Sequence, residues 1–225
     1  MSILSRVKRV FAGHGIRGVL YRTYAVIVDR WFDFRYGVET CRQVRLASLH
    51  IDSDNVDHGH RYEAARVVEV RRTLRQIQPL LPPNARLVDL GSGKGRILMI
   101  AAECGYAGAT GVEFAAELCD IGRQNLERFR GRTQCITDLK IVHGDVVQYE
   151  IEPRDMLFTL FNPFDDLVTS QVASRIVESL ARHPRRVIVC LYNTDTVELI
   201  ERITSFRRIE ESNHLGYRVT LLSNE

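Results

Sequence analysis

Long apolar runs are missing from the 225 residues. None reaches the length needed to cross a bilayer as a helix. The N-terminus also lacks a signal-peptide core and a small-residue cleavage site. Cysteine is scarce. The five (Cys41, Cys104, Cys119, Cys135 and Cys190) are odd in number and widely spaced, with no C-x-x-C pair. That pattern argues against a zinc ribbon and against a disulfide framework, and it predicts a reducing, cytoplasmic setting. An excess of one charge is lacking too. A net charge of +3 is weak support for any anionic partner. No basic stripe or recognition module stands out, which makes nucleic acid an unfavoured acceptor. Internal repeats, low-complexity tracts and a domain-separating linker are all absent. What remains is 45% apolar and 26% charged residues, enough for one α/β domain with an extension.

The chain is organised around Arg86-Leu-Val-Asp-Leu-Gly-Ser-Gly-Lys-Gly-Arg-Ile-Leu-Met-Ile-Ala-Ala102. Leu87 to Leu90 read as a buried strand, Gly91, Gly93 and Gly95 as a turn, and Ile97 to Ala102 as an apolar helix. Glycine permits positive φ and a close approach of a ligand to the backbone. The helix points its free N–H groups back at the turn. Such a unit binds nucleotide-like cofactors at the carboxyl end of a sheet. The spacing fits neither the dinucleotide G-x-G-x-x-G nor the P-loop pattern.

Upstream, Ile3 to Val10 carries Arg6, Lys8 and Arg9 among apolar residues. Val19 to Phe32 follows as a helix with a wide apolar face. Residues 3–32 could lie on an anionic membrane, form a lid over a substrate, or pack on the domain or on a second subunit. The scatter of the basic residues favours packing. Phe34 to Thr40 and Leu46 to Asn55 read as irregular. His58 and His60, with Asp54 and Asp57, match no zinc spacing and read as a solvated loop, so no metal is expected. A helix from Tyr62 to Ile77 is stopped by Leu80-Leu-Pro-Pro. Residues 1–84 thus read as a helical segment placed to cover a cofactor, and 85–225 as the domain that would bind it.

In that domain Gly108 to Glu113 is a second buried strand. A carboxylate at its end can accept both hydroxyls of a ribose. A helix runs from Ala115 to Phe129, and Leu139 to His143 is a third strand leading to Gly144-Asp145-Val146. His143 is tempting as a general base but reads as a strand residue with a satisfied neighbour. Asp155 to Phe161 is a fourth strand that runs into Asn162-Pro163-Phe164. Asp165 or Asp166 caps the next helix. Arg185 to Asn193 is a fifth strand, Thr194 caps a helix over Val197–Ile203, and Phe206–Glu211 and Tyr217–Leu222 close the chain.

Asp89-x-Gly91-x-Gly93-x-Gly95 resembles motif I of the class I S-adenosylmethionine (SAM) methyltransferases. Gly37-Val-Glu-Thr, Tyr62-Glu, Gly111-Val-Glu-Phe, Asn125 and Phe161-Asn-Pro-Phe extend the likeness to a bacterial family of stand-alone members. Motif I is also similar to that of small protein-lysine methyltransferases. The resemblance implies a doubly wound, seven-stranded, mostly parallel Rossmann-like sheet with an N-terminal helical extension, and SAM as cofactor. It assigns Tyr62, Asp89, Gly91, Ser92, Gly93, Gly95, Glu113, Phe114, Asp145, Val146 and Asn162 to the cofactor. Asp145 would reach the adenine amino group and the Val146 N–H a ring nitrogen. Asn162-Pro163-Phe164 looks like the N-P-P-[YFW] signature of amino-group methyltransferases with one proline missing. It would align and pack the accepting amine. A protein lysine is the first implied acceptor and a small-molecule amine or hydroxyl the second. A SAM-binding partner protein without transferase activity is the rival reading.

Overall fold

The computed structural model describes residues 3–42, 64–161 and 165–225. Helix α1 spans Ile3–Tyr36 and is broken at Gly15, whose φ of 60° and ψ of −158° are non-helical. Helix α2 (Val67–Ile77) buries Val67, Val70, Leu74 and Ile77 and ends in a single 3₁₀ turn at Gln78–Leu80. Alternation then begins: β1 (Arg86–Leu90), α3 (Arg96–Glu103), β2 (Gly108–Glu113), α4 (Ala116–Thr133), β3 (Asp138–His143), β4 (Asp155–Leu160), α5 (Asp166–Arg182), β5 (Ile188–Tyr192), α6 (Val197–Ile203), β6 (Arg207–His214) and β7 (Tyr217–Ser223).

The strands form one seven-stranded sheet in the order β3-β2-β1-β4-β5-β7-β6. The first five are parallel, β7 is antiparallel to β5, and β6 is antiparallel to β7. Every residue of β1, β2 and β5 is buried, as expected for strands covered on both faces. One face packs Val67, Val70 and Leu74 of α2 with Leu98 and Met99 of α3. The other packs Val168, Val172 and Ile176 of α5 with Ile200 of α6. The chain order reverses between β1 and β4. That is where ligands bind in open α/β sheets.

The element order matches the sequence reading, and the differences are local. Phe34 to Tyr36 is helical, not irregular, because Phe32 and Tyr36 bury one face of α1. The α2 helix begins at Val67, with residues 64–66 outside any helix. Asp165 is the cap of α5, accepting from the N–H groups of Leu167 (3.1 Å) and Val168 (3.2 Å). The cap position of α6 is Thr196. The Thr194 hydroxyl accepts from the Thr196 N–H instead. Strand β6 runs on to His214, and a two-residue turn at Leu215-Gly216, both with positive φ, joins it to β7. Positive φ at both positions suits the twist of a tight hairpin.

Candidate active site at the carboxyl end of the sheet

The turn after β1 is built from alternating left-handed glycines: Gly91 (φ 81°), Gly93 (52°) and Gly95 (79°). Gly91 and Ser92 both donate to the Val112 carbonyl, at 2.9 and 3.0 Å. The turn is thereby pinned to β2. Glu113, at the end of that strand, is 3% exposed. One of its oxygens accepts from the Gly93 N–H at 2.8 Å and the other from the Ala115 N–H at 2.9 Å. A carboxylate has about four lone-pair sites, and backbone N–H groups do not fill them all. The remaining acceptor capacity could take a hydroxyl of a ligand at this end of the sheet. Burial pushes the Glu113 carboxyl up, while the Ala115, Gly93 and Phe114 N–H groups and His143 pull it down.

Asp89 sits in β1 just before the turn and is 2% exposed. Its Oδ1 accepts from the Thr159 hydroxyl of β4 at 2.6 Å. Burial raises its carboxyl from 3.8 to about 7; the Thr159 bond opposes this and the Glu113 charge adds to it. The Ser92 hydroxyl is buried and makes no hydrogen bond among the described residues. It is turned against β2, where a Cβ on Gly111 would stand 2.4 Å from it. Ser92 therefore packs the turn onto the sheet.

Gly144 donates to the Glu113 carbonyl at 2.9 Å and so draws the end of β3 beside that of β2. Asp145 follows. It caps a 3₁₀ turn over Val146–Gln148, its Oδ1 accepting from the Val147 N–H at 2.9 Å. The Val146 side chain is buried with Leu90 and Val112. The His143 ring lies 3.1 Å from the Phe114 carbonyl oxygen. That contact gives the histidine a local partner, and it orients the backbone at Phe114. Tyr62, Asn162, Pro163 and Phe164 lie outside the described residues. Phe161 leads up to the last three. Its ring lies 6.0 Å from those of Tyr192 and Tyr217, an aromatic wall at the ends of β4 and β5 and the start of β7.

Beneath the glycine turn lies a polar clamp that the motifs did not reveal. Lys94 is fully buried, and its ammonium donates to Glu39 Oε1 at 3.0 Å and to the Arg42 carbonyl at 2.9 Å. Arg96, the first residue of α3, is 3% exposed. It donates to the Thr40 hydroxyl at 2.7 Å and the Ala65 carbonyl at 2.7 Å, and lies 3.4 Å from Asp29 and 3.8 Å from Asp33 of α1. Asp33 in turn accepts from the Thr40 and Cys41 N–H groups. Asn125 of α4 closes the arrangement. Its amide donates to the Lys94 carbonyl at 3.1 Å and accepts from the Glu39 N–H at 2.9 Å. Residues 37–42 are thus strapped across the turn. The signal available in sequence was two cations in a turn between a buried strand and a buried helix, where unpaired charge is costly.

The sequence matches no protein-family profile and no curated protein. The fold does match solved structures. An RNA methyltransferase from Salinibacter ruber, in complex with S-adenosyl-L-homocysteine, superposes with a TM-score of 0.54 at 20% identity over 72% of this chain and 93% of that one. A ribosomal protein L11 methylase from Lactobacillus delbrueckii subsp. bulgaricus gives 0.54 at 12% identity over 72% and 79%. TrmN from Thermus thermophilus gives 0.55 at 17% identity over 70% of this chain and 48% of its own length. The fold is therefore the seven-stranded Rossmann-like one that these methyltransferases share.

Proposed function

We propose that this chain is a SAM-dependent methyltransferase that acts on an amine, with a protein lysine as the first acceptor class. The observation that carries the reading is the Glu113 carboxylate. It is buried at the end of β2, locked to the Gly93 N–H, and left with acceptor capacity beside three left-handed glycines. Bound SAM supplies a methyl group already activated on a sulfonium, so the protein's task is to bind, align and exclude water. In this reading Glu113 holds the ribose hydroxyls and Gly91, Gly93 and Gly95 let the cofactor approach the backbone. Asp145 and Val146 face the base, and Tyr62, Ser92 and Phe114 shape the surroundings. Asn162 accepts a hydrogen from the target amine and points its lone pair along the line of displacement. Pro163 and Phe164 pack on the substrate. Residues 1–84 cover the cofactor and 85–225 carry the chemistry.

The lysine assignment rests on the motif resemblance and on Asn162-Pro163-Phe164. The fold does not discriminate, since its solved relatives include an RNA methyltransferase and a ribosomal protein methylase. Incubating cell lysate with the protein and methyl-labelled SAM tests the class. Label that survives nuclease but not protease, and maps to lysine by mass spectrometry, supports the reading. Label lost to nuclease, or found only in small molecules, refutes the lysine assignment. No label in any fraction favours the non-catalytic binder.

A further inference from the structure

Helix α1 has two apolar faces. One is spent on the domain: Ala25, Phe32 and Tyr36 are buried. The other meets solvent. At about 100° per residue, Ile16, Leu20, Tyr24, Ile27, Trp31 and Phe34 fall within one arc of roughly 80°. Each of the six is 51–81% exposed. A solvent-facing stripe of this length needs an occupant.

Charge indicates which. The two acids between residues 16 and 36 are Asp29 and Asp33, and both are turned inward. Asp29 accepts from the Val67 N–H at 2.9 Å and pairs with Arg96, and Asp33 binds Thr40 and Cys41. The charged side chains exposed beside the stripe are Arg17, Arg30 and Arg35. Residues 1–28 contain no acid at all, and they add Arg6, Lys8 and Arg9 in sequence. An open groove beside Tyr24 and Val28 is lined by Arg71, Arg72 and Arg75 of α2, of which Arg75 adds to the basic surface. Arg71 and Arg72 are paired with Glu103 and Glu69, and Arg75 is exposed. A second copy packed stripe to stripe would set the α1 arginines against one another with no α1 carboxylate between them. An anionic surface would not.

We infer that α1 lies in the plane of an anionic phospholipid bilayer. Its stripe is sunk at the boundary between headgroups and acyl chains, and its arginines meet lipid phosphates. Tyr24 and Trp31 suit that depth, being apolar rings with a polar edge. Among the described residues no helix is long and apolar enough to cross a membrane, so the helix rests on the surface. The acids that would oppose such binding are those that hold α1 to Arg96. The glycine turn and the lipid-facing stripe are thus on opposite sides of one helix.

Trp31 is the sole tryptophan and reports directly. The full chain should float with vesicles of phosphatidylcholine containing about 30 mol% phosphatidylglycerol, with a blue shift of the Trp31 emission. Binding should fall at least tenfold on pure phosphatidylcholine, and again for the double variant Leu20→Glu, Ile27→Glu. Both positions are exposed, so the variant should keep its melting temperature and its SAM affinity. Absence of flotation on anionic vesicles overturns the inference. So does equal flotation of the variant. A concentration-dependent dimer that the variant breaks, with neither protein captured by vesicles, overturns it in favour of a second copy. SAM titration is read separately, so failure here leaves the methyltransferase reading intact.

Discussion

Burial holds the Asp89 carboxyl up at about 7, so its proton is bound in the folded state at pH values where an unfolded chain has released it. For an acid with a raised native pKa, stability falls as pH rises from about 4 to about 7 and is flat above. Asp89→Asn should flatten that part of the melting-temperature profile between pH 5 and pH 8. A cationic cofactor at the end of β1 favours the ionised form. SAM binding near pH 7 should then release a fraction of a proton, visible as a binding heat that changes with the ionisation enthalpy of the buffer, and Asp89→Asn should abolish that dependence. An unchanged heat in the wild type would disconnect Asp89 from the cofactor. Asn162 makes a different demand. If it aligns the amine, Asn162→Ala keeps SAM affinity within a few-fold and lowers turnover by on the order of a hundredfold. A merely structural turn would instead lose melting temperature and SAM affinity together.

At the scale of elements, Gly111 explains how the glycine turn is seated. A Cβ there would stand 2.4 Å from Ser92 Oγ and 2.6 Å from Ser92 Cβ. Gly111→Ala should lower both melting temperature and SAM affinity, and adding Ser92→Gly should restore much of each. A failure to couple in that double-mutant cycle would show that the two residues do not share the space. The clamp is the second element-level feature. Arg96→Ala leaves Asp29 and Asp33 without their buried partner, at a cost on the order of 3–5 kcal/mol. Chemical denaturation would measure it, and a loss below about 1 kcal/mol would mean that Arg96 is not what holds α1 to the domain. Strands were legible in sequence because β5 is a continuous apolar run and β1 and β2 are short, largely apolar stretches that end on an acid or on the glycine turn. The clamp was not. Arg96 reaches partners 56 to 67 positions away, such as Thr40 and Asp29, and no local pattern encodes a contact of that range. The end of α1 is not legible for a related reason: Tyr36 meets Phe129 of α4 edge-on at 4.8 Å and Phe32 at 4.9 Å, and the first is a contact across the chain.

For the whole molecule, the cofactor end of the site was readable because it is contiguous. Asp89 to Gly95 and Gly111 to Glu113 come together simply by adjacent strands pairing in register. The aromatic wall beyond β4 is assembled from distant places. Phe161, Tyr192 and Tyr217 meet only when β4, β5 and β7 lie side by side, and no local pattern announces that contact. The shared fold narrows the chemistry without choosing an acceptor. The account therefore stands on the cofactor. The direct measurement is calorimetric titration of SAM and S-adenosyl-L-homocysteine into the full chain and into Glu113→Ala. The account predicts one binding site in the wild type and a loss of roughly 1–3 kcal/mol in the variant, from charge-assisted bonds to two hydroxyls. No binding to the wild type, or equal binding to both proteins, would contradict it.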